Sequence, residues 1–81
     1  MKLWLIYPQE EYETELDYDD CAQQFVIRAE TAEQAREIAQ KNGGDEVRYT
    51  KFSWLNKEHA HCHELSVEGD AMLIMRDFLA G

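Results

Sequence analysis

The chain has 81 residues, a formal net charge of −9 at neutral pH and a hydrophobic content of 44%. That length fits one domain, residues 1–81, with apolar content enough for a small core and too much for full disorder. The charge disfavours direct nucleic-acid binding, since phosphates would be repelled, and no run of about 18 apolar residues offers a membrane span.

Lys2 to Tyr7, KLWLIY, reads as a strand that stops at Pro8, and its unbroken apolar character predicts burial on both faces, or at least a central place in a sheet. No small-residue cleavage site follows this six-residue apolar run, so the expectation is a cytoplasmic protein without a signal peptide.

Gln9 to Asp20 is polar and acidic, and reads as a loop or an edge strand. It holds Glu10, Glu11, Glu13, Glu15, Asp17, Asp19 and Asp20, with no basic residue from Glu10 onward. Residues 1–20 contain seven acids and one base, a net of −6, and the remaining 61 residues carry ten acids and seven bases, a net of −3. Two thirds of the net charge therefore lies in the first quarter of the chain. Glu11, Glu13, Glu15, Asp17 and Asp19 alternate with Tyr12, Thr14, Leu16 and Tyr18. If the segment is extended, five carboxylates line one face at about 6.8 Å intervals. Phosphates along one nucleic-acid strand recur at roughly 6–7 Å, so such a row would suit a Lys/Arg groove built for phosphates. The other face carries Tyr12, Leu16 and Tyr18 and could dock on the domain; alternatively, Tyr12 and Tyr18 are exposed and join the binding surface. The plainer alternative is a solvated loop, or gatekeeper charges protecting a sheet edge.

Gln23 to Glu30 reads as a second strand, with Phe25, Ile27 and Ala29 on one face. Thr31 is an N-cap candidate with Gln34 three residues on, and Ala32, Ala35, Ile38 and Ala39 recur at helical spacing until Asn42-Gly43-Gly44 stops the helix. Val47 to Leu55 alternates and predicts a third strand. Asn56 to His61 reads as a loop, Cys62 to Val67 as a short strand, Glu68-Gly69-Asp70 as a turn and Ala71 to Leu79 as a last strand. The result is an α+β fold in β-β-α-β-β-β order: a small, mostly antiparallel sheet with one helix packed on one face. Trp4, Tyr7, Tyr49, Phe52, Trp54 and Phe78 are assigned to the core.

His59, His61, Cys62 and His63 form the segment HAHCH, whose imidazoles and thiol are good ligands for zinc, nickel or copper. On a strand, successive histidines at about 6.8 Å spacing do not converge on one ion without a turn, so these residues are secondary candidates for a metal-binding module. Cys21 and Cys62 are expected to be free thiols in a reducing compartment. The chain has no phosphate-binding glycine loop and no nucleophile elbow, and adjacent residues on a strand cannot pair Cys62 with His61 or His63. The expectation is a non-enzymatic protein without a cofactor.

The chain resembles a group of small proteins of phages and bacterial mobile elements, largely of unknown function. The resemblance is carried by the MKLWLI strand, the acidic tyrosine-containing stretch, FVIRAETAEQAREIA, Cys62-His63-Glu64 and the MRDFLAG ending, over nearly the whole length. It implies no catalytic residues and lends no support to a metal site. In size and acidity the chain is also similar to DNA-mimic anti-defence proteins, including anti-CRISPR proteins. This second likeness implies an inhibitor that blocks the basic nucleic-acid-binding groove of a host protein or complex. The alternatives are the HAHCH metal module and a small interaction domain without mimicry.

Overall fold

In the computed structural model the described residues are 1–16 and 20–76. Three strands, β1 (Lys2–Pro8), β2 (Phe25–Ala29) and β3 (Ala60–Leu65), form an antiparallel sheet in the order β2-β1-β3. Helices α1 (Ala32–Lys41) and α2 (Asp45–Tyr49) connect β2 to β3. The fold is α+β, with β1 central as its apolar run predicts.

Directly opposed residues of antiparallel strands share a face. Trp4 and Ile6 therefore lie on the same side as Ile27, Ala29, Cys62 and Ala60. That side packs on α1 through Ala35 and Ala39, which are fully buried. Small side chains let the helix approach the sheet closely. Thr31 caps α1 by accepting from the Gln34 N–H at 3.1 Å, and Gln34 reaches back to the Glu30 N–H at 2.8 Å. This is the reciprocal cap the sequence predicts, displaced by one residue at its second bond.

The 45–59 region departs from the predicted third strand. It contains α2, then turns that fold Phe52 and Trp54 into the core. Trp54 meets Phe25 and Phe52 edge-on, at ring-centroid distances of 5.1 and 4.8 Å. The apolar alternation is genuine at Phe52 and Trp54 but fails at Tyr49, which is exposed.

Glu46 supplies the physical reason. Its carboxylate is fully buried and accepts from the Gly44 N–H at 3.0 Å, the Ala22 N–H at 2.9 Å and the Trp54 indole N–H at 2.8 Å. Bringing residue 54 back over residue 46 requires a bend, which a continuous strand cannot provide. Thr50 ends α2 by donating its hydroxyl to the Glu46 carbonyl. Gly44 passes so close to Asp20 that a Cβ would sit 2.0 Å from the Asp20 carbonyl oxygen.

Two polar residues of α1 also turn inward. Arg36 is buried and donates to the Trp54 and Ala60 carbonyls, both at 3.0 Å. Gln40 accepts from the Trp54 N–H at 2.8 Å. Among the described residues, every buried side-chain nitrogen and oxygen has a hydrogen-bond partner. The last predicted strand is not formed in its described part, 71–76, and the rest of it, including Phe78, lies outside the described residues.

Candidate functional site

In its described part, residues 10–16, the acidic segment is not an extended row. Glu10–Tyr12 and Thr14–Leu16 are two successive 3-10 turns. The first closes through the Tyr12 and Glu13 N–H groups, which donate to the Gln9 and Glu10 carbonyls. The alternation that suggests a strand has another cause: Tyr12 and Leu16, four residues apart, are the anchors. Leu16 is buried in the core, and its carbonyl accepts from Gln23 Nε2. Tyr12 is half-buried rather than exposed, with its ring against Phe52 at 5.7 Å and His59 at 4.6 Å. Thr14, which the strand register would put on the same face, stays exposed.

Glu10, Glu11 and Glu13 are exposed on these turns, and no basic side chain among the described residues pairs with them. The two ion pairs of the described residues are elsewhere, Lys2 with Glu64 and Arg48 with Asp45. Glu15 lies in the second turn. Asp17, Tyr18 and Asp19 lie outside the described residues. Asp20 is exposed and holds a positive φ of 66°, a conformation that Asp tolerates better than most residues. Its carbonyl accepts from the Asp45 N–H at 2.8 Å, so its backbone joins the acidic segment to α2.

The HAHCH segment is divided among different surroundings. His59 precedes β3 and turns its ring onto Phe52, with Nδ1 accepting from the Ser53 N–H at 3.0 Å. Cys62 faces α1, where its thiol lies 4.0 Å from the Ala32 carbonyl. Burial pushes the Cys62 thiol above its ordinary pKa; Arg36 partly opposes this and Glu33 adds to it. His61 and His63 lie on the other face of β3, opposite Tyr7 and Leu5. Their rings are 5.4 Å apart and nearly parallel. His63 Nε2 is 3.1 Å from the Tyr7 hydroxyl, and His61 Nδ1 is 3.3 Å from Gln9 Nε2. The four donors thus do not converge. Among the described residues, no group of three or more His, Cys, Asp or Glu side chains is placed to hold a metal ion.

Sequence reading missed the link between these two segments. A depression of about 380 Å³, lined by Gln9, Glu10, Glu11 and His61, joins the acidic turns to the Tyr7–His61–His63 side of the sheet. A second groove, of about 540 Å³, runs along the outer edge of β3 against α1, with Ala32, Arg36, Leu55 and Cys62 in its lining. The signal that could have found them is the placement of HAHCH on an edge strand, which only the pairing partners of β1 decide. Cys21 and Cys62 are both free thiols. Among the described residues, no helix is long and apolar enough to cross a membrane. No family model matches the chain, and neither a curated protein nor a solved structure matches it.

Proposed function

We propose that this chain is a small, non-enzymatic binding protein whose acidic turns engage a basic surface. The finer reading is a DNA-mimic inhibitor, anti-CRISPR-like, that blocks the nucleic-acid-binding groove of a bacterial host complex. The observation that carries the proposal is the set of Glu10, Glu11 and Glu13: exposed, unopposed by any described cation, and mounted on turns anchored by Tyr12 and Leu16. Anchoring matters because a pre-ordered charge cluster loses less entropy on binding than a floppy one.

Helical turns replace the spacing expected of a strand. Glu10 and Glu13 stand one 3-10 turn apart, a rise of about 6 Å. That remains near the interval between phosphates along a strand, although two carboxylates are a shorter row than five. Asp17, Asp19 and Asp20 extend the acidic sequence, and Tyr12 contributes to the site as its anchor. Association driven by such charges is fast and weakens as salt rises.

The test is pull-down and inhibition against a panel of bacterial nucleic-acid-binding defence complexes, using the parent and an E10Q/E11Q/E13Q/E15Q variant. The parent is expected to capture a complex and displace its nucleic acid, and the variant to lose both at least tenfold. Equal binding and inhibition by the neutralised protein would sink the proposal.

A further inference from the structure

Among the described residues β3 is an edge strand, paired with β1 alone. The Gln9 N–H donates to the His59 carbonyl at 2.9 Å. Hydrogen-bonded pairs alternate along an antiparallel ladder, so Tyr7–His61, Leu5–His63 and Leu3–Leu65 are the pairs bonded to β1. The backbone groups of Ala60, Cys62 and Glu64 therefore point away from β1, toward the open edge. Those of Ala60 are used: its N–H donates to the Asn56 carbonyl and its carbonyl accepts from Arg36. Cys62 and Glu64 present theirs to the groove side, a template for one more strand.

A matching segment lies just beyond β3. Met72, Leu73 and Ile74 are exposed at 75%, 72% and 54%. Three successive large apolar side chains in water are costly for a monomer, and Ala71–Arg76 has the composition of a strand without being one. The connection Ser66–Asp70 is exposed throughout: Val67 is 98% exposed, and Gly69 has a φ of 137°. Five residues of extended chain reach about 17 Å, enough to carry the segment to a neighbouring molecule.

We propose that two copies of this chain exchange these segments, each adding Ala71–Arg76 as an antiparallel fourth strand on the β3 edge of the other. A symmetric exchange satisfies both edges at once and closes the assembly at two. With Ile74 opposite Cys62, Ile74 enters the groove beside Ala32 and Leu55, and Met72 lies opposite Glu64. Leu73 then covers His63 on the other face. The groove is mixed in charge, with Glu33 and Glu37 beside Arg36 and Lys57, so its occupant is selected by the exposed apolar side chains of Met72, Leu73 and Ile74 and by the free backbone groups of the edge.

Each copy carries a net charge of −9, so the bodies repel while the apolar strands attract. Dimerisation therefore strengthens with salt, opposite to the salt response of the acidic surface. This separates the two proposals: either can fail while the other stands.

Sedimentation or light scattering of the full chain over a hundredfold concentration range, at low and high salt, tests the exchange. The expected result is a monomer–dimer equilibrium shifted toward dimer by salt. Ile74→Asp, at an exposed position and therefore still folded by circular dichroism, is expected to weaken it at least tenfold. In a Cys21→Ser background, Ile74→Cys is expected to form an interchain disulfide with Cys62 and run as a covalent dimer. Monomer at every concentration would overturn the proposal. An intrachain disulfide, meaning that the segment folds onto its own β3, would overturn it equally.

Discussion

Glu46 and Glu11 carry the same side chain, yet one is the most enclosed acid among the described residues and the other stands in water. Glu46 is surrounded by N–H groups from three separate parts of the chain, the turn before β2, the start of α2 and Trp54. Glu11 has exposed acidic neighbours on a 3-10 turn. Desolvating a carboxylate costs several kcal/mol unless hydrogen bonds replace the lost water, and the α2 corner supplies them. The acidic turns supply none, so their carboxylates stay in water. An acidic composition thus conceals two kinds of acid, one structural and one solvated.

This contrast can be broken most severely at Glu46. An 81-residue domain has a total stability of about 4–12 kcal/mol. Glu46→Ala strands the Gly44, Ala22 and Trp54 N–H groups, at about 1–3 kcal/mol each, and is expected to lower stability by about 4–5 kcal/mol. Chemical denaturation read by Trp fluorescence checks this; a loss below about 1 kcal/mol would mean that water replaces the carboxylate. Leu16→Ala removes the anchor of the second turn and should cost about 3 kcal/mol. In that variant, amide exchange over residues 10–16 should accelerate more than in α1, and uniform acceleration would contradict the anchoring role.

Neutralising the exposed acids sharpens the comparison from the other side. E10Q/E11Q/E13Q should change stability by less than about 0.5 kcal/mol, and toward greater stability, because like charges are removed. A loss beyond 1 kcal/mol would show that these acids hold the fold together as Glu46 does.

The smallest expected effect is a pH dependence. Because burial raises the folded-state pKa of Cys62, the unfolded chain releases that proton first as pH rises. The contribution of Cys62 is fully present below the ordinary thiol pKa of about 8.5 and is lost as pH rises through the folded value. Urea midpoints of the parent and Cys62→Ala should therefore converge or cross between pH 7 and 10; curves that stay parallel would refute it.

Local chemistry carried much of the fold into the sequence. The apolar run of β1, the inward Phe25, Ile27 and Ala29 of β2, and the Thr31–Gln34 cap of α1 are each set by neighbours within a few residues. The α+β class follows from those elements. The acidity of residues 10–20 was also legible, as was the division of Cys62 from His61 and His63 that strand alternation imposes.

Tertiary structure decided the rest, because long-range partners chose among locally equivalent shapes. Tyr12 and Leu16 satisfy both a strand register and a pair of helical turns, and the core below them selects the turns. Val47 to Leu55 alternates well enough for a strand, but the Glu46 carboxylate must meet the Trp54 indole, so the chain bends. Arg36 and Gln40 look like solvent-facing helix residues until the carbonyls and N–H groups of 53–60 pass beside them. Which carboxylate is buried and which stays in water depends on N–H groups distant in sequence, and only the folded chain brings those groups together.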